Sequence, residues 1–270
     1  MYRLVAILCA GLLLFSSCVK AKQESGYVRF EFEYRWGDEL IQFDETTTYT
    51  NAAGNELMLK DLQYFISYLT IHGQAGSQVF NNPNIRYMST DSAHSVMLMT
   101  HEVPAGSYHS VSFTFGLNAQ DNRSNQFPNP PENMMTWPEP LGGGYHFLML
   151  NGKWKNPGEP TDQGFGLHLG TLKRDTYDTT WTTGTISQQN DSIVKIDTIT
   201  NVYDNSFDVS PIPKQFIVKS NEITTVRIIM DVKQWMGSRN KLDFNIIGGA
   251  IMENEEAMRQ LAENGKYVFK

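Results

Sequence analysis

Tyr27-Val28-Arg29-Phe30-Glu31-Phe32-Glu33-Tyr34 alternates without a break. Val28, Phe30, Phe32 and Tyr34 share one side, while Arg29, Glu31 and Glu33 share the other. Successive side chains of an extended chain point to opposite faces, so this stretch is a strand with one face in a core. The pattern returns at Val111, Phe113 and Phe115, at Val226, Ile228, Met230 and Val232, and at Leu242, Phe244 and Ile246. Tyr145 to Leu150 is apolar on both faces and reads as a central strand. Gly54-Asn55, Pro104-Ala105-Gly106, Asn129-Pro130-Pro131 and Pro211-Ile212-Pro213 supply turns between the runs. Many short strands with such punctuation predict an all-β fold, a β-sandwich-like domain.

Two segments depart from the two-residue period. Lys60 to Leu69 is ambiguous: Leu62, Phe65, Ile66 and Leu69 fit a helical face, and the β-branched tail fits a strand. Asn254 to Gly265 reads as a short C-terminal helix. Asn254 caps it, Glu255 and Glu256 suit its first turn, Gly265 ends it, and Met258 and Leu261 face the sheet. Residues 173–206 are rich in Thr and Asp and alternate weakly through Ile193, Lys195, Asp197 and Ile199, which predicts an inserted polar hairpin. His109 lies in alternation with Val111 and Phe113 and is expected at the core or its edge.

The chain has 270 residues, 40% of them hydrophobic, and a net charge of −7. That apolar content supports a real core. The acidic balance argues against nucleic acid, whose affinity for proteins comes mainly from Lys and Arg on phosphates. Two cysteines exclude a multi-disulfide scaffold and a four-thiolate zinc site.

Arg3, the apolar run Leu4–Phe15 and Ser16-Ser17-Cys18 look like a bacterial lipoprotein signal peptide. The run is shorter than the ~20 residues of a membrane-spanning helix. On this reading residues 1–17 are removed, Cys18 is lipidated, residues 18–26 form a tether, and the β-sandwich domain occupies 27–270. Several acyl chains on one cysteine anchor stably. The expected address is the cell envelope, anchored in the outer membrane and facing the periplasm. The folded part then has no thiol.

No Gly-x-Ser-x-Gly, His-Glu-x-x-His or phosphate-cradling Gly-x-x-x-x-Gly-Lys occurs, so nothing in the sequence points to an enzyme. Gly142-Gly143-Gly144 precedes a strand and reads as a sharp turn. The stretch Asn133–Gly170 is dense in donors: Met134, Met135, Trp137, His146, Trp154 and His168. Imidazole and thioether together suit copper, Cu(I) above all. A hydrogen-bonded core role is the alternative for each histidine. His72, His94, His101 and His109 are read as structural.

Several segments in order carry a resemblance. They are Leu62-x-Tyr64-Phe65-Ile66-Ser67-Tyr68-Leu69, Val103-Pro104-Ala105-Gly106-Ser107-Tyr108, Phe113-Thr114-Phe115-Gly116-Leu117-Asn118, Met135-Thr136-Trp137-Pro138, Gly143-Gly144-Tyr145-His146-Phe147 with Asn151-Gly152, and Phe165-x-x-His168-Leu169-Gly170. With Ile251-Met252-Glu253-Asn254 and Glu263-Asn264, the series resembles the MbnP-like family of periplasmic copper-binding proteins in its lipoprotein form. The resemblance implies a β-rich, non-catalytic protein that binds copper through histidines. In some members the site lies beside a tryptophan oxidised to kynurenine by a partner dihaem peroxidase of the cytochrome c peroxidase type. Position by position it implies His146 and His168 as ligands, Trp137 as the modified residue, and Met134 and Met135 as further contacts. Copper acquisition, storage or delivery would be the role.

A second reading is a cell-envelope module binding a glycan or an outer-membrane protein. Its motivation is the aromatic content, with Trp36 and Trp181 as stacking platforms, and the Thr-rich hairpin.

Overall fold

The computed structural model describes residues 23–74, 76–79, 85–91, 97–99, 102–186 and 189–270. The segment read as a signal peptide, with Cys18, and His94 and His101 lie outside the described residues.

Two sheets face each other. The first is centred on β1 (Ser25–Trp36), with β2 (Glu39–Leu40) and β15 (Ile223–Asp231) beside it and the short β7 (Met97–Met99) and β8 (Val103–Pro104) also paired to β1. β15 runs parallel to β1 from Tyr27↔Ile223 to Arg35↔Asp231. The second sheet is built on β4 (Glu56–Gly73). Its main order is β11 (Gln163–Leu169), β10 (Leu148–Lys155), β4, β9 (Gly106–Phe115) and β14 (Phe207–Val218). Also paired to β4 are β3 (Thr48–Thr50), β5 (Gly76–Val79) and β6 (Arg86–Ser89).

The alternation of β1 sets the sandwich. Val28, Phe30, Phe32 and Tyr34 are buried. Phe32 meets Phe113 of β9 and Tyr64 of β4 edge-on at 6.2 and 6.4 Å, and the hydroxyls of Tyr34 and Tyr64 bond across the core at 3.2 Å. Each such aromatic side chain contributes roughly 1.5–3 kcal/mol through burial.

The ambiguous segment Lys60–Leu69 is strand, within β4. Its burial is nearly continuous from Leu57 to Leu69 because both faces are covered. A strand buried on both sides loses the polar/apolar alternation that identifies it and mimics a helical run. One covering layer is the opposing sheet. The other is residues 118–147, whose Phe127, Met135, Trp137, Tyr145 and Phe147 pack on the outer side.

Three expectations are corrected. Leu242, Phe244 and Ile246 do not form a strand: α1 (Phe244–Ile247) begins there, because the Asp243 carboxylate accepts the Asn245 amide and caps it. Ile246 is accordingly 82% exposed. Tyr145–Leu150 is strand only from Leu148; Tyr145 makes an isolated bridge to Thr136. His109 is exposed, since the register of β4 against β9 shifts between His72 and Gly73 and inverts the facing of that end.

The helix α2 (Glu255–Gly265) forms as the caps dictate, with Asn254 Oδ1 accepting from the Ala257 amide at 3.1 Å and Met258 and Leu261 buried. The inserted hairpin is β12 (Leu172–Ile186) with β13 (Gln189–Tyr203), paired only to each other among the described residues.

Candidate metal centre

The site lies between the outer face of the large sheet and the covering segment 118–147. In an antiparallel ladder, directly opposed residues share a face. Met149 opposes His168 on one side and Gln63 on the other; Asn151 opposes Gly166 and Asp61. One patch of the sheet therefore carries His168, Met149, Asn151, Asp61 and Gln63. A bulge between Asn151 and Gly152, where β4 contributes the extra Lys60, leaves Lys60 exposed and turns Asp61 inward to 8% exposure.

The covering segment brings the second histidine. Gly142, Gly143 and Gly144 take φ of +124°, +68° and +80°, a run that side-chain-bearing residues adopt only with strain. This turn folds the chain back so that Trp137 N–H donates to Gly144 O at 2.9 Å and His146 N–H to Met135 O at 2.6 Å. The His146 and His168 rings then stand edge to face, centroids 5.1 Å apart, and Trp137 stands against His146 at 4.7 Å and 79°. Trp137 is fully buried, with its indole N–H on Leu141 O at 3.3 Å. Gly170 makes room for it: a Cβ there would lie 2.7 Å from the indole ring.

The hydrogen bonds fix which nitrogens are bare. His146 Nδ1 lies 3.0 Å from Met135 O. A carbonyl only accepts, so Nδ1 carries the proton and Nε2 presents its lone pair. That Nε2 is buried and has no hydrogen-bond partner within the chain, so its lone pair is open to a ligand. Asn151 Nδ2 donates to Asp61 Oδ1 at 2.8 Å, and its Oδ1 lies 2.8 Å from His168 Nε2. His168 Nε2 is therefore the donor and Nδ1 the bare nitrogen. The chain continues outward, with Gln63 Nε2 on Asp61 Oδ1 at 3.2 Å and Tyr87 OH on Gln63 Oε1 at 2.8 Å.

Both imidazoles are pushed toward the neutral form. Burial, and then the neighbouring His146, push His168 from 6.5 down to about 4, with the Asp61 charge pulling weakly the other way. Burial lowers His146 too, against the bonds to Met135 and Thr136 that favour its charged form. Two such nitrogen donors, one buried and one half-buried, suit a late first-row metal ion, copper among them.

Of the residues expected from sequence, His146, His168, Trp137 and Met135 meet here. Met135 is fully buried and orients His146 through its carbonyl. Met134 does not belong: its side chain is 71% exposed on the 3₁₀ turn Glu132–Met135, because successive residues of that turn face different ways. Asn151 and Asp61 belong to the site and are not reached from the sequence. The register that sets Asn151 opposite Asp61 belongs to two strands at once and cannot be read from either alone. His72 bonds Ser112 Oγ at 2.7 Å and exposed His109 bonds Ser110 Oγ at 3.0 Å, away from the pair. Among the described residues no group of three or more His, Cys, Asp or Glu could hold a metal. Trp36 is half-buried and packs on Tyr49, centroids 5.0 Å apart; the Trp181 side chain lies outside the described residues.

A search of curated proteins returns no match. Among solved structures the chain is similar to MbnP from Methylosinus trichosporium, with 13% identity, 78% of each chain covered and a TM-score of 0.46. The family model described as MbnP matches residues 25–254. The chain belongs to the MbnP family.

Proposed function

We propose that the protein binds copper between His146 and His168 and serves copper acquisition, storage or delivery without catalysing a reaction. Family membership supports a copper-related role. The observation that carries the reading is the buried, unpartnered Nε2 of His146 facing an imidazole whose own tautomer is set by Asn151. Copper bound there would be cargo, held by Nε2 of His146 and Nδ1 of His168. Metal-ligating histidines characteristically donate their other N–H to a carbonyl or a carboxylate-linked group, and both do so here.

Trp137, fixed against His146, is the residue we assign to oxidation by a dihaem peroxidase-type partner. Cys18 is the residue we assign to lipidation, holding the protein on the outer membrane facing the periplasm. The test is Cu(I) titration of the chain beginning after Cys18, beside His146→Ala and His168→Ala, with intact mass measured on protein from its native host. Sub-micromolar binding lost in both variants is expected, as is a mass gain localised to Trp137. Unchanged binding in the variants would refute the site, and an unmodified Trp137 would remove the partner.

A further inference from the structure

We propose that one end of the sandwich, presenting Tyr27, Ile217 and Ile223, rests on the lipid surface. The inference rests on the reading of Cys18 as the lipidated residue, and adds to it the face of the domain that meets the bilayer.

This end is built where β1 starts. Ala105 N–H donates to Glu24 O at 2.8 Å, Asn221 N–H to Ser25 O at 2.8 Å, and Tyr27 N–H to Glu222 O at 2.9 Å. Gly26 permits the close approach, since a Cβ there would collide with Lys219 O and Glu222 O. The turn between β14 and β15 is thereby fixed against the first residues of β1, and the backbone is held from Glu24 onward.

Three large apolar side chains stand out from this end. Tyr27 is 37% exposed, Ile223 51% and Ile217 61%. Tyr27 and Ile223 are direct partners in the β1–β15 pairing, and Thr224 Oγ1 donates to Ile217 O at 3.0 Å across the turn. Exposed apolar residues scattered singly are ordinary, whereas a group of them marks a surface that is covered in use. A tyrosine among aliphatic side chains suits the boundary between headgroups and acyl chains.

The tether says what covers it. Only residues 19–23 separate Cys18 from Glu24, so the two Cα atoms are no more than about 22 Å apart even at full extension. β1 alone, with its 12 residues, is roughly 40 Å long. Acyl chains on Cys18 therefore keep this end at the bilayer. The opposite end carries Ile246: Phe244 N–H donates to Asn55 Oδ1, just before β4 begins, while the other end of β4 pairs Gly73 with Tyr108. Glu24, Glu102 and Glu222 are exposed around the lipid-facing end, and Lys219 pairs with Glu222 at 3.7 Å. Zwitterionic lipid with ammonium headgroups fits such a rim better than an anionic surface does.

The test uses the full chain, processed and purified from membranes, with acylation of Cys18 read by intact mass. Both native cysteines precede residue 19, so a cysteine introduced into the domain is the sole thiol of the acylated protein. Ile217→Cys, Ile223→Cys and, at the opposite end, Ile246→Cys are each labelled with an NBD fluorophore and reconstituted in phosphatidylethanolamine-rich vesicles. All three side chains are exposed, so the fold is retained. Doxyl-labelled lipid should quench the probes at Ile217 and Ile223 severalfold more than the probe at Ile246, and aqueous iodide should do the reverse. An equal response at all three positions overturns the proposal. So does protection from iodide without quenching by doxyl lipid, which would place a second copy of the chain on this end. Acylated protein whose probes at Ile217 and Ile223 stay open to water overturns this face alone; a Cys18 without lipid overturns the anchor and the face together.

Discussion

Metal-free protein should lose stability as pH falls below 6.5, and His168 should carry much of that loss. In the unfolded chain its imidazole takes up a proton near 6.5, but in the fold it does so only near 4. The unfolded state therefore binds more protons between these values. A group depressed in this way contributes stability that is complete above its unfolded pKa and drains away as pH falls toward the folded one. At about 1.4 kcal/mol per pH unit of displacement, the full effect is about 3 kcal/mol, of which about 2 kcal/mol is lost between pH 7 and pH 5. The perturbation is His168→Gln, which cannot titrate and can still donate to Asn151. Urea unfolding followed by tryptophan fluorescence, at pH 7 and pH 5 with chelator present, gives the stability of each protein. The stability advantage of wild type over the variant should shrink by about 2 kcal/mol on acidification. A difference constant to within about 0.5 kcal/mol would show that His168 titrates in the fold as it does unfolded, against a depression by burial.

Asn151→Ala should weaken Cu(I) binding by about 10- to 100-fold in a competition titration, because His168 loses the amide that fixes its tautomer; affinity equal to wild type would dismiss that role. Gly170→Ala should destabilise by about 1–3 kcal/mol in thermal or urea unfolding, since its new methyl meets the Trp137 ring at 2.7 Å. Met134→Ala should change neither copper affinity nor stability beyond about 0.5 kcal/mol, as expected of a surface side chain; a loss of binding would return Met134 to the site.

Sequence was most informative where one face of a strand meets water. Residues 27–34 announce β1 because solvent forces charges onto the outer side. It was least informative where both faces are buried, as in β4, since the covering segment 118–147 is not adjacent in sequence and its contribution cannot be seen locally. At residues 242–246 the period of two was an accident of a buried Leu242 in a loop and a buried Phe244 opening a helix. Asp243, a strong capping residue between them, was the available counter-signal. Within the site, His146, His168 and Trp137 stood out by chemical type. Asn151 and Asp61 are ordinary in type and become special only through register and a bulge, properties of strand pairing that belong to two segments at once.

The parallel pairing of β1 with β15 bears on how the chain acquires its shape. Tyr27 waits for Ile223, so the strand made first in synthesis has no long neighbour in its own sheet until most of the polypeptide exists. Lys270 closes a reciprocal pair of backbone hydrogen bonds with Ile229, adding a further distant segment to the same sheet. Contacts so distant along the chain make folding slow and late, because the entropy of closing the loop is lost before the contacts repay it. The sheet centred on β1 is thus the late part of the sandwich, because β15 must be present before its longest pairing can form.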